Sequence, residues 1–177
     1  LEAKRRSGPS LAALLVQAVL PALSPFPGFS ANCDGDRLTV RTRDHLGLAV
    51  HTEAGLMVPV VGDAGTLSLE MLYKEIARLA AGAQARKLGA EEITGQSFTI
   101  TNIGAVGGGY GTPIIPPGTT AILSVGRARD EVVARYGQAV VAPMIPLALS
   151  FDHRVIDGAT GAAFLNRVTE NIELFRS

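Results

Sequence analysis

A chain of 177 residues with 47% apolar and 18% charged side chains is long and apolar enough to bury a core, which excludes a disordered tail. Sixteen basic and sixteen acidic residues cancel, so nothing points to a general nucleic-acid or membrane-surface partner, and copies of the chain do not repel one another. The single Cys33 excludes an internal disulfide and fits a reducing compartment.

Taken in chain order, Lys4, Arg5 and Arg6 ahead of the apolar run Leu11–Leu23 resemble the start of a secretory signal. No small-residue cleavage site follows, and the run is too short to span a bilayer. A cytoplasmic location is expected, or the mitochondrial matrix in a eukaryote. Leu11, Leu14, Leu15, Ala18 and Val19 recur at helical spacing behind Ser10 as N-cap, and Pro21 should end or kink that helix. Residues 24–32 read as loop. Strands are predicted over 37–42, 47–52 and 56–61, with a turn at Glu53, Ala54 and Gly55.

Ser68 caps a second predicted helix with an apolar stripe of Leu69, Leu72, Ile76, Leu79 and Ala83, and Gly89 is placed to stop it. A strand over 97–101 leads into a glycine-rich segment, 104–111. Further strands are predicted over 120–125 and 132–136, and a long apolar strand buried on both faces over 138–151. Ala162, Leu165, Val168, Ile172 and Phe175 put one face on a terminal helix. Helices alternating with many strands imply one mixed α/β domain over residues 1–177.

The most informative segment is Ser150-Phe151-Asp152-His153-Arg154-Val155-Ile156-Asp157-Gly158, where an apolar strand runs into four ionisable groups and then a helix. Charges at the end of a buried strand need partners to offset desolvation. His153 is a candidate general base, since an unperturbed imidazole titrates near neutrality. Asp157-Gly158 suits a tight turn whose carboxylate braces backbone or Arg154. The plainer reading is an ion-paired structural turn with an incidental histidine.

The full string separates the two. His-Arg-x-x-Asp-Gly after an apolar strand resembles the signature of the dihydrolipoamide acyltransferases, the core components of 2-oxo acid dehydrogenase complexes. Gly55-Leu56-Met57-Val58-Pro59-Val60-Val61 and Gly95-Gln96-Ser97-Phe98-Thr99-Ile100-Thr101-Asn102-Ile103-Gly104 resemble two further strands of that family. Pro113, Ile114 and Ile115, and residues 121–126, fall where the family has related strings. A looser His-x-x-x-Asp-Gly is shared with chloramphenicol acetyltransferase and peptide-synthetase condensation domains.

This resemblance implies a chloramphenicol-acetyltransferase-like fold, a mixed sheet covered by helices. It implies that His153 takes the thiol proton of coenzyme A and that the thiolate attacks an acyl-dihydrolipoyl thioester. Thr101 would donate to the oxyanion and Asp157 would hold the loop, with Arg154, Asn102 and Gly158 in support. Tyr110 and Gly111 would border the acyl pocket, and a small residue at 111 implies a branched-chain or otherwise roomy acyl group. Lipoamide would arrive on a separate lipoyl domain, and no metal is implied. The resemblance further implies homotrimers with the site between neighbours, assembled into 24-mers or 60-mers. Decarboxylase and dihydrolipoamide dehydrogenase components would bind through upstream domains absent from this chain.

Relatives start a few tens of residues earlier, so the domain is expected to be N-terminally shortened; Ser30 and Pro21 are further departures from the family pattern. The glycine-rich segment lacks the Gly-Lys-Ser/Thr ending of a nucleotide loop. Rival readings are a stand-alone hydroxyl acetyltransferase, an acetyl- or succinyl-specific core, and a scaffold that kept the fold. The scaffold would be expected to lose His153.

Overall fold

A computed structural model describes residues 10–35 and 37–176. The basic triplet Lys4, Arg5 and Arg6 lies outside the described residues. Helix α1 (Leu11–Leu23) starts where expected, with Ser10 Oγ accepting the Ala13 amide at 3.3 Å. Pro21 does not stop it. The proline sits in the last turn on the exposed side, where its missing amide removes one bond and the helix ends two residues later anyway.

The predicted loop 24–32 holds a short 3-10 turn, Pro27–Ser30, and the start of β1 (Ala31–Asp34), which pairs with β2 (Arg37–Val40) in a small separate sheet. Next come β3 (Leu46–Thr52), β4 (Gly55–Met57) and β5 (Val60–Val61). Val58 and Pro59 divide the predicted strand 56–61, and both pieces pair with β3. Helix α2 (Leu69–Gln84) buries Leu72, Ile76, Leu79 and Ala83, with Ser68 as its cap. Its stop is Arg86, in the left-handed region at φ 54, and not Gly89. Gly89 instead opens the next 3-10 turn, where its amide donates to Glu92 Oε2 at 2.9 Å.

Strands β6 (Phe98–Asn102), β7 (Ala121–Val125), β8 (Arg129–Arg135), β9 (Gln138–Met144) and β10 (Leu147–Phe151) precede α3 (Gly158–Glu173). The long strand predicted over 138–151 is thus two strands. Pro146, with no amide to donate, separates them. Strand β9 is not buried on both faces: it pairs only with β8, and Val132 and Val141 of this hairpin are 72% and 70% exposed. The stripe on α3 matches the predicted one in part, with Val168 buried and Leu165 and Ile172 packed against the core. Gly161 and Phe164 are also buried, whereas Ala162 and Phe175 are exposed.

The main sheet has six strands in the order β10-β7-β6-β3-β4, with β5 also on β3. Pairs β3–β6 and β6–β7 are parallel and the others antiparallel, so the sheet is mixed. Strand alternation gives it two unlike faces. Leu46, Leu48, Phe98, Ile100, Ala121, Leu123 and Val125 point into the core shared with the three helices. There Phe29 and Phe164 stack at 4.1 Å, and a fully buried phenylalanine of this kind contributes about 3–5 kcal/mol. The opposite face carries Gly47, Ala49, Thr99, Thr101, Ile122 and Ser124, in register across β3, β6 and β7.

Candidate active site

The signature segment forms an exposed turn between β10 and α3, the strand-to-helix junction anticipated from the sequence. The Asp152 amide donates to Thr120 O at 2.8 Å, and the Asp152 carbonyl accepts the amides of Val155 and Ile156 at 3.0 Å each. Arg154 forks onto the Asp152 carboxylate, Nη2 to Oδ2 at 2.7 Å and Nε to Oδ1 at 3.0 Å. These bonds, with the Arg154 amide on the same carboxylate, hold the Asp152 carboxyl below the usual range. Between these anchored residues His153 is exposed, its ring tilted at 37° against Phe151 at 5.9 Å.

Asp157 caps α3: its Oδ1 accepts the Thr160 amide at 2.7 Å. That bond, the Thr160 hydroxyl, the Ala159 amide and the neighbouring His153 all lower its carboxyl pKa. Gly158 is the first helical residue and carries no positive φ, so the junction is a helix cap and not the tight glycine turn expected. Both carboxyls titrate lower in the fold than in the unfolded chain. They therefore stabilise the protein above the ordinary carboxylate range, and that stability is lost as pH falls through their folded values. Thermal melts from pH 6 to pH 3 should show a steeper acid decline for the native protein than for D157N; equal slopes would remove Asp157 from this role.

Thr101 lies elsewhere. It sits on β6 between Ala49 and Ser124, on the sheet face away from the helices, and lines a pocket of about 300 Å³. Gly111 closes the same pocket with Ile103, Val58, Pro113 and Ile122. Asn102 faces the other way and caps the 3-10 turn Ile103–Val106, its Oδ1 accepting the Ala105 amide at 3.2 Å. Tyr110 does not line the pocket. It is 69% exposed, with its ring under the Arg129 guanidinium.

The glycine-rich segment folds back onto the end of β7. A side chain at Gly104 would meet the backbone of Gly126 and Arg127, and one at Gly126 would meet the Gly109 carbonyl. Arg127 ties the loop down, its amide donating to Gly108 O at 2.9 Å and its Nε to Gly104 O at 3.3 Å. No α-helix follows this loop; the next regular strand is β7, which is not the architecture of a phosphate-binding loop. The sequence reading missed Arg127 and Arg129, whose only signal is two arginines directly after an apolar strand.

His153 and Thr101 are not brought together within one chain. Phe151 pairs with Ala121 and Thr101 with Ser124, so His153 runs off one end of β7 while Thr101 lies toward the other. Five residue steps at ~3.3 Å and two strand spacings of ~4.8 Å put them roughly 19 Å apart.

The family model for the 2-oxoacid dehydrogenases acyltransferase catalytic domain matches residues 1–177. The chain belongs to this family. Over 158 residues it is 40% identical to the dihydrolipoyllysine-residue succinyltransferase component of the 2-oxoglutarate dehydrogenase complex of Haemophilus influenzae, covering 89% of this chain and 39% of that protein. Over 156 residues it is 42% identical to the acetyltransferase component of the pyruvate dehydrogenase complex of Bacillus subtilis, covering 87% and 35%. The chain therefore spans well under half the length of these family members. Among solved structures, the cubic core of the pyruvate dehydrogenase multienzyme complex superposes with a TM-score of 0.89 at 36% identity, over 96% of this chain and 71% of that one. Chloramphenicol acetyltransferase shares the fold, with a TM-score of 0.58 at 17% identity, over 97% and 81%.

Proposed function

We propose that this domain transfers an acyl group between dihydrolipoamide, carried on a lipoyl domain, and coenzyme A. The observation that carries this reading is that the family match runs the whole length of the chain and both motif segments fold into accessible half-sites. In this reading His153 accepts the coenzyme A thiol proton as the thiolate attacks the thioester carbon. A free thiol titrates about two units above imidazole, so full transfer is uphill by roughly 2–3 kcal/mol, which a positioned base meets within the transition state. The Thr101 hydroxyl donates to the oxyanion, which collapses by breaking the bond to the dihydrolipoyl sulfur, and the departing thiolate takes the proton back from His153. Asp157 and the Asp152–Arg154 pair hold the His153 turn in place.

Since one chain separates His153 from Thr101, the working site is formed where the His153 turn of one copy meets the Thr101 pocket of the next. A head-to-tail contact closes into a ring where its rotation allows, and a trimer assembled into a 24-mer or 60-mer core is compatible with such a contact.

For the acyl group we propose a branched-chain or other roomy, uncharged substituent. Gly111 adds no side chain to the pocket, Tyr110 stands outside it, and among the described residues of this chain none that lines it is charged. A succinyl carboxylate would find no counter-ion among the described residues that this chain contributes to the pocket. The relatives' names favour succinyl or acetyl instead. Measuring transfer to dihydrolipoamide from isobutyryl-, acetyl- and succinyl-coenzyme A separates these: isobutyryl is expected to be the best donor. A preference for succinyl would overturn the acyl assignment, and no transfer from any donor would favour a scaffold.

A further inference from the structure

Tyr110 is a bulky ring held one residue from the point where the pocket needs space. A Cβ built on Gly111 would come within 2.8 Å of Ile103 Cδ1, so there is little spare room in that wall. Tyr110 is flanked by Gly109 and Gly111, which leave its backbone with few steric limits. Its ring is nevertheless kept outside. The Arg129 guanidinium carbon lies 4.8 Å from the ring centroid, and Arg129 is itself aimed by Glu131, Nε to Oε1 at 2.6 Å. The Arg127 bonds to Gly104 and Gly108 anchor the loop on the N-terminal side of Tyr110.

We propose that Arg129 is a specificity-determining positioning residue, whose cation–π contact holds Tyr110 out of the acyl pocket and so keeps the space beside Gly111 open to a bulky acyl chain. Released from Arg129, a largely exposed aromatic ring gains by turning into an apolar pocket next to it, because apolar area leaves water. The ring would then occupy the room a branched chain needs and leave space for acetyl. Glu131 serves the same end at one remove, by orienting the guanidinium. The inference rests on the reading of the Thr101–Gly111 pocket as the acyl site.

The test compares wild type, R129A and the R129A/Y110A double variant in the assembled protein, using isobutyryl- and acetyl-coenzyme A. The ratio of kcat/KM for isobutyryl over acetyl is expected to fall about 2–5-fold in R129A, the population shift that one exposed cation–π contact sustains. It is expected to return to the wild-type value in the double variant. An unchanged ratio in R129A, or a fall that Y110A does not reverse, overturns the proposal. Hydroxyl-radical footprinting with peptide mass spectrometry supplies a readout that needs no substrate. Oxidation of Tyr110 should drop in R129A relative to the fully exposed Tyr136, and equal oxidation overturns the clamp. If wild type transfers no acyl group, the functional reading fails, while footprinting still decides whether Arg129 holds the ring.

Discussion

H153A is expected to lower acyl transfer by about 10²–10⁴-fold while the protein folds and assembles as wild type does. The loss should appear in kcat with little change in KM for coenzyme A, since the imidazole acts on the thiol proton in the transition state and contributes little to ground-state binding. Folding should survive because His153 is exposed and the turn is anchored by its neighbours. Asp152 is bonded to Thr120 and Arg154, and Asp157 caps α3. Steady-state kinetics alongside a thermal melt check both halves. A variant with near-native turnover would remove His153 as the base, and a variant that melts well below wild type would show the histidine to be structural.

Substituting Thr101 should separate the donor from the packing. Valine keeps the shape and removes the hydroxyl, so T101V is expected to lose about 10²–10³-fold in kcat, the usual effect of removing one oxyanion donor. T101S keeps the donor and sheds a methyl group from a half-buried strand position, so it should stay close to wild type. Equal losses in the two variants would make Thr101 a packing residue. The same variants test the shared site. Oligomers of H153A alone or T101V alone should be inactive, whereas co-assembled H153A and T101V chains should recover up to about a quarter of wild-type activity. In such mixtures some contacts pair an intact His153 turn with an intact Thr101 pocket. No recovery on mixing would place both residues in one chain's site, contrary to the strand register.

Local pattern was a good guide wherever a residue's neighbours in sequence settle its conformation. Ser10 and Ser68 cap the helices they precede, because a side-chain oxygen three residues from a free amide needs nothing from the rest of the fold. The apolar stripe of α2 is the buried one for a similar reason, since a single helical period defines a face. The junction at Asp152–Gly158 was legible as an exposed polar turn because four ionisable groups after an apolar strand have few other places to go. Where sequence reading failed, longer-range partners decided. The apolar run over 138–151 has the composition of one buried strand, yet Pro146 and the pairing of β9 with β8 alone put half of it in solvent.

By itself, then, the sequence determined the identity of the chemical groups, the junction that presents His153, the strand that carries Thr101, and the family to which both belong. Tertiary structure alone decided where those groups stand. The antiparallel register of β10 on β7 and the parallel register of β6 on β7 send His153 and Thr101 to opposite ends of the sheet. It also decided that Tyr110 faces Arg129 and not the pocket. Strand alternation tells which face each residue presents, but which strands pair, and at which residues, depends on contacts between segments far apart in the chain.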